Sequence, residues 1–454
     1  MDIIIVGCGK VGEVLAAELN EEGNNITVVD EVAEKVKHIA TKYDIMGVIG
    51  NGATHRVQKE AGVGSADLLI AVTGSDELNL LCCLMAKKSG KCQAIARIKN
   101  PDYAKDAAYL RDELGLAMVI NPEQAAAEEI TRILKFPSAL KVETFSRGRV
   151  ELMTFRLPEN STLVGQTLRD AMIKLKSNVL VCTVERADGA HIPKGDFTFA
   201  ERDIVSIIAS PRSASDFLTK INYKSEPIRN VSIIGGGSIT HYLCELLGKA
   251  GIKARVIEKE VDVCNELATK FGDVSIICGD PTDEDVLREE RVSASDAFVA
   301  LTSIDEENIL LSLFAKNQGN RKVITKINRI EYDDVISKLD LDSIIYPKHL
   351  TANTIVRYVR SNQNTLGSNM VTLYNLNRGE VEVAEFSIGE NSPITGVPLS
   401  KLCFKSDVLV GAIIRGRQMI VPRGSAIILP GDSVVTVTKN LSPRDISDIL
   451  DEVL

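Results

Sequence analysis

The sequence holds no apolar run near the ~20 residues that a bilayer-spanning helix needs, so an integral membrane protein is not expected. No basic segment, apolar stretch and cleavage site follow Met1; the chain runs straight into "DIIIVG", and a secretory leader is not expected. The nine cysteines include no CxxC pair, which fits reduced thiols better than a disulfide framework or a zinc site. The five histidines (His38, His55, His191, His241, His349) lack metal-ligand spacing, so no metal site is expected. There is no GxxxxGK[ST] loop, hence no support for P-loop ATP hydrolysis. Positive charge is not in surplus either. Fifty-three Lys and Arg against 62 Asp and Glu leave a net charge of −9, the wrong sign for a general nucleic-acid binder. These absences point to a soluble cytoplasmic protein, and 454 residues allow about three domains at ~150 residues each.

What is present is a chain written twice. "GCGKVG" at 7–12 recurs as "GGGSIT" at 235–240, and Asp30 recurs as Glu258. Asp67, Thr73, Asp76 and Asn79 then fall on Asp296, Thr302, Asp305 and Asn308. "AIARIKNPDY" (94–103) falls on "VITKINRIEY" (323–332), "ENSTLVGQTL" (159–168) on "ENSPITGVPL" (390–399), and "IPKGDF" (192–197) on "VPRGSA" (421–426). The period is far too long for a solenoid, so the chain is a tandem duplication of a two-part module.

The first part of each module alternates short apolar strands with amphipathic helices. "DIIIVG", "NITVVD", "IMGVIG", "LLIAVT" and "AIARI" read as strands, with helices over Val11–Glu22, Val32–Lys42, from about Arg56, and Asp76 to about Ser89. Apolar strands separated by helices specify a parallel sheet covered on both faces. Asn121, Pro122 and Glu123 signal a closing helix to about Lys135; its counterpart runs from Lys348 to about Ser361. The second part is β-rich, with "MTFRLPENS", "VLVCTVER", "DIVSIIAS", a hairpin at "HIPKGDF" and one helix near Thr167–Lys176. The expected fold is α/β: two Rossmann-type doubly wound parallel-sheet domains (1–139 and 226–367), each followed by a small α+β domain (140–225 and 368–454), with "INYKSEPIRN" as the joint between halves.

In the first copy the glycine turn follows a strand, opens a helix and precedes an acidic residue at the end of the second strand, the context of a dinucleotide fingerprint. Gly7 permits the tight turn, Gly9 lets the backbone approach a pyrophosphate, and Gly12 lets the helix pack close to the strand. Asp30 would accept from ribose hydroxyls and repel a 2′-phosphate, favouring NAD(H) or an adenine nucleotide over NADP(H). The plainer reading is a close strand–helix turn with no ligand. In the second copy Gly235, Gly236 and Gly237 keep the turn, but the Cβ of Thr240 is expected to push the helix away, and Glu258 reaches one methylene further. That site is either weakened or working. "TGSDELN" (73–79) lies at the ligand edge of such a sheet; it either caps a helix through Ser75, with Asp76 and Glu77 on the dipole, or serves a ligand through Thr73. Arg97, with Lys326 as its counterpart, either meets a phosphate or is solvated. Cys8 reads as a packing residue, and no catalytic constellation is evident.

The two glycine turns, "VTGSDELN" with "LTSIDEEN", and the alternating β-rich parts together resemble the TrkA family of regulatory subunits of Trk-type potassium uptake. The resemblance implies tandem RCK (KTN) N-terminal domains, each followed by an RCK C-terminal domain. It implies a peripheral protein at the inner face of the cell membrane, a homo-oligomer expected to be a tetramer, docked on a potassium-translocating subunit of the TrkH/TrkG kind. The ligands implied are NAD(H), ATP and ADP. Carried over by position, the first-domain site is Gly7, Cys8, Gly9, Lys10, Val11, Gly12, Asp30, Asn51, Thr73, Gly74 and Arg97. The second is Gly235, Gly236, Gly237, Ser238, Ile239, Glu258, Thr302 and Lys326. An NAD-dependent oxidoreductase is the alternative, and it would need a substrate domain with an acid/base group.

Overall fold

Strand and helix alternation produces, in a computed structural model of the chain, one parallel sheet in each half. The structure describes residues 1–454 except 138, 147, 159, 187, 224–225, 329–335, 337, 340, 364–367, 377–378 and 452–454. In the first half the strands are β1 (Asp2–Val6), β2 (Asn25–Asp30), β3 (Met46–Ile49), β4 (Leu68–Ala71), β5 (Gln93–Arg97) and β6 (Met118–Ile120). Their order is β3-β2-β1-β4-β5-β6, all parallel. Ile3 to Val6 and all of β4 are buried, as strands covered on both faces must be. The order reverses between β1 and β4, and ligands bind in the crevice that opens there at the carboxyl ends of the strands.

The second half repeats this order around Asn230–Ile234, with Lys253–Glu258 on one side and Ala297–Ala300 on the other. The expected strands and helices are found. The sequence reading did not include β6, its counterpart Ser343–Ile345, or the short helices Pro101–Lys105 and Ala107–Glu113. Part of the repeated segment 323–332 and the limit placed after 367 fall on or beside 329–332 and 364–367, outside the described residues, as do 224–225 of the expected joint.

The chain divides into two compact units that pair like with like. One is Met1–Leu134 with Ile228–Val356. Here the closing helix of the first half, Pro122–Lys135, lays Ala126, Ala127, Ile130, Ile133 and Leu134 into the core of the second sheet, against Val231, Ile233, Leu243 and Leu247. Tyr242 reinforces the contact: its hydroxyl accepts from Asn121 Nδ2 at 2.8 Å and donates to the Lys99 carbonyl at 3.1 Å. The corresponding helix, Pro347–Gln363, returns to the first half, where His349 Nδ1 meets Glu18 Oε1 at 3.1 Å.

The other unit is Lys135–Pro227 with Arg357–Leu454. Each half contributes a five-stranded antiparallel sheet, and the two share a core in which Phe145, Leu152 and Ile208 meet Val381, Val383 and Val435. The Tyr374 hydroxyl donates to the Thr144 carbonyl at 3.0 Å. The helix near Thr167–Lys176 is present as Leu168–Leu175, capped by Thr167. A second helix, Pro211–Lys220, joins it. The hairpin lies earlier than "HIPKGDF": Val179–Arg186 pairs with Gly189–His191, and residues 192–197 form an irregular stretch beyond it. Pro193 has no N–H to give a ladder.

Candidate functional site

The carboxyl ends of β1, β2, β4 and β5 surround a cleft of about 580 Å³. Gly7, Gly9, Lys10, Val11, Asp30, Asn51, Thr73, Gly74 and Arg97 all line it; Cys8 and Gly12 stand behind the turn and are not among its lining residues. The second half reaches in as well, through Asn328, Pro347 and Lys348, which the sequence reading did not include.

The three glycines of the turn have three different reasons. Gly7 has φ +109°, and a Cβ there would come within 2.9 Å of the Val72 and Thr73 backbone. At Gly12 a Cβ would lie 1.8 Å from the Gly7 carbonyl oxygen, so only glycine lets the helix Lys10–Glu21 start this close. Gly9 differs: its φ is −82°, open to any residue, and no atom lies within 4 Å of a Cβ. Nothing among the described residues requires glycine there. Gly237, its counterpart, has φ −69° and the same empty surroundings. Both turns leave their backbone open to the approach of another molecule.

Asp30 ends β2. Its Oδ2 accepts from the Cys8 N–H at 2.7 Å and its Oδ1 from the Val32 N–H at 2.9 Å. Burial, with the Asp30 charge adding to it, pushes the Cys8 thiol up to about 12, so Cys8 holds no thiolate near neutral pH. Asn51 Oδ1 accepts from the Ala53 N–H at 2.9 Å, shaping the loop after β3.

The repeated Thr and Asn are tethers. Asn79 is fully buried; its Oδ1 accepts from the Thr73 N–H at 2.8 Å and its Nδ2 donates to the Arg97 carbonyl at 3.0 Å. Asn308 does the same for the Thr302 N–H at 2.8 Å and the Lys326 carbonyl at 3.1 Å. Asp76 is buried and accepts from the Lys99 and Asn100 N–H groups, which makes it more than the dipole partner expected. Ser75 caps the helix as expected, accepting from the Leu78 N–H. These bonds hold the ends of β4 and β5 at the cleft.

Arg97 lines the cleft, half-buried, with its guanidinium paired. It donates to Glu123 Oε1 at 2.5 Å. Arg97 Nε and Glu123 Oε2 are buried without a hydrogen-bond partner. Glu123, noted in the sequence only as a helix-start signal, is therefore a cleft residue. Lys326 Nζ donates to the Leu301 carbonyl at 3.3 Å, and burial above all holds its pKa below the usual lysine range. Lys10 of the first half lowers it further, while Asp305 and Glu123 oppose.

In the second glycine turn, Gly235 has φ +97°, and the helix Ser238–Ala250 follows it. Thr240 is accommodated at its start. The side chain is buried, and its hydroxyl donates to the Gly235 carbonyl at 2.5 Å, turning a contact into a hydrogen bond. Glu258 Oε2 accepts from the Gly236 N–H at 2.5 Å, the role Asp30 has in the first half. Ser238 and Ile239 open the helix, with Ile239 buried against the second-half core.

The TrkA-N domain family model matches residues 3–122 and 231–347, and the TrkA-C domain model matches 152–222 and 383–440. The chain is 33% identical over 443 residues to Trk system potassium uptake protein TrkA homolog 1 of Methanosarcina mazei, covering 96% of each. It is 32% identical over 440 residues to the TrkA homolog of Archaeoglobus fulgidus, covering 97% of each. Against TrkA of Halomonas elongata it is 30% identical over 455 residues, covering 99% of this chain and 98% of that one. Among solved structures it resembles the GsuK channel with a TM-score of 0.65 at 17% identity, over 97% of this chain and 77% of that chain. The GsuK channel bound to NAD gives 0.63 at 16%, over the same shares. At such identity the likeness speaks for the fold.

Proposed function

Since the chain belongs to the TrkA family of Trk potassium uptake proteins, we propose that it is a regulatory subunit that binds a nucleotide in the first-half cleft and gates a membrane partner. The observation that carries this reading is Gly9, a glycine with no cause inside the protein, placed at a helix N-terminus over the cleft. Lys10, Lys35, Arg97 and Lys348 line the same cleft and suit a diphosphate; Asp30 at the end of β2 suits ribose hydroxyls. NAD(H), ATP and ADP share both groups. The neighbouring fold occurs in a channel described as bound to NAD and in one bound to ADP.

The role is regulatory and not catalytic. The relatives are named potassium uptake proteins, and the cleft's polar groups hold backbone and each other. No described helix is long and apolar enough to cross a membrane, so a part in potassium uptake acts through a membrane partner, a TrkH/TrkG-like translocating subunit at the inner face. A homo-tetramer bringing eight Rossmann-type domains into a ring closes the symmetry without an open interface. The second glycine turn, with Gly237 open and Glu258 in the place of Asp30, is a second nucleotide site. Calorimetric titration with NADH, ADP and ATP tests the reading. Loss of the first-half share of the saturable binding in Gly9→Val is expected; unchanged affinity and stoichiometry in that variant would overturn it. Steady NADH oxidation with an oxo-acid would favour the oxidoreductase instead.

A further inference from the structure

The second half carries two thiols where the first half has two hydrophobic side chains. Cys264 lies on the helix Val261–Lys270, and Cys278 ends the strand Ser275–Cys278, in register with Glu258. The matching positions of the first half are Val36, on the helix Ala33–Tyr43, and Ile49, in register with Asp30. Cys264 is buried, Cys278 is exposed, and both are free. The Cys264 thiol donates to the Glu258 carbonyl at 3.3 Å, and Cys278 pairs with Glu258 across the two strands, so both thiols flank that residue. Burial, with the neighbouring Cys278 thiol adding to it, raises the Cys264 thiol to about 11. Cys278 is therefore the thiol that meets a reagent, and Cys264 the one placed to resolve it.

We infer that Cys264 and Cys278 are an oxidative modification site, closing a reversible disulfide beside the second glycine turn when a peroxide reaches Cys278. The Cys278 sulfur, as thiolate, attacks a peroxide oxygen. The O–O bond breaks, hydroxide leaves and takes a proton as water, and Cys278 becomes a sulfenic acid. The Cys264 sulfur then attacks the sulfenyl sulfur; the S–O bond breaks, the S–S bond forms, and the Cys264 proton leaves with the hydroxide as a second water. Two electrons pass from the thiols to the peroxide, and a dithiol reductant returns them. The new bond ties the helix Val261–Lys270 to the edge strand next to Glu258, whose carboxylate holds the Gly236 N–H. The Glu258 carbonyl loses the thiol donor but keeps the Gly279 N–H at 2.9 Å.

The full-length protein is treated with hydrogen peroxide, blocked, and digested without reduction for mass mapping. A linked Cys264–Cys278 peptide that dithiothreitol removes is expected as the main product. It should survive Cys403→Ser, which deletes the other exposed thiol. In Cys264→Val, which installs the residue found at the matching position, Cys278 should run on to sulfinic acid several-fold faster. Amide exchange over 261–270 should slow on oxidation in the wild type and stay unchanged in Cys278→Ser. Wild-type Cys278 that forms sulfinic acid or an intermolecular bond as fast as in Cys264→Val, with no linked peptide, would overturn the inference. So would exchange that oxidation leaves unaltered.

Discussion

The Cys8 N–H donates to Asp30 Oδ2 at 2.7 Å, so the acidic residue ending the second strand ties down the glycine turn beside it. Glu258 and the Gly236 N–H repeat the bond with a side chain one methylene longer. The longer reach fits because residue 236 has no side chain. A Cβ on Gly236 would lie 3.1 Å from Glu258 Cγ, 2.7 Å from Val263 Cγ1 and 2.9 Å from Leu267 Cδ1. The two positions have changed together: Cys with Asp, Gly with Glu.

That pairing makes a double-mutant prediction. Asp30→Glu alone should crowd Cys8 and destabilise the protein by about 1–3 kcal/mol, the usual range for overpacking. Cys8→Gly combined with Asp30→Glu should recover most of the loss, because it reproduces the second-half arrangement. Urea denaturation of the four proteins of the cycle measures it. Strictly additive effects would mean that the two positions do not communicate.

The glycines of the first turn should separate ligand binding from folding. Gly9→Val places its side chain in open space, so stability should change by less than about 0.5 kcal/mol while nucleotide affinity collapses. Gly12→Ala drives a Cβ against the Gly7 carbonyl and should cost about 1–3 kcal/mol of stability before any ligand is added. Thermal melts with and without ADP distinguish the two. A Gly9→Val protein that melts early, or that gains as much stability from ADP as the wild type, contradicts the assignment.

Asn79 and Asn308 should matter for stability in both halves. Asn79→Ala orphans the half-buried Thr73 N–H and Arg97 carbonyl, and a group left unsatisfied out of reach of water costs about 1–3 kcal/mol. Asn308→Ala should cost a similar amount through Thr302 and Lys326. Equal denaturant midpoints for wild type and both variants would show that these tethers carry no load.

Much of this was legible from residue order. The alternation of apolar strands and helices gave the parallel sheets, and repetition of Thr73 and Asn79 as Thr302 and Asn308 marked a position under constraint. The kind of constraint was not legible, because a ligand contact and a buried tether demand the same residue types. The hydrogen bond of Thr240 was hidden for a related reason. A sequence shows the volume of a side chain but not that its hydroxyl meets a carbonyl. Lys348 was hidden by distance, since it reaches the cleft from the other half, and Glu123 by the unread β6, whose pairing with β5 sets it beside Arg97. β6 and Ser343–Ile345, at three residues each, are too short for any period to register.

The last prediction concerns how binding would reach the partner. A ligand shifts a two-state assembly only through its difference in affinity between the states. Arg97 is clasped by Glu123, and Glu123 opens the helix whose other end is packed into the second half's core. A phosphate entering the cleft competes with Glu123 for Arg97, so binding loosens a contact at the start of the helix that packs into the second half's core. Glu123→Gln weakens the competitor and should tighten nucleotide binding roughly five- to thirtyfold, the equivalent of about 1–2 kcal/mol. The same change should blunt the nucleotide dependence of potassium flux through the reconstituted partner, because the contact that binding must break is already weak. Arg97→Ala should weaken binding and flatten the response together. By linkage, the partner-bound protein should also bind its activating nucleotide more tightly than the free protein. The measurement is potassium flux for wild type and both variants across an NADH, ADP and ATP series, beside calorimetry on the same preparations. If flux responds to the nucleotide but neither variant alters affinity or response, the Arg97–Glu123 clasp is not the coupling element.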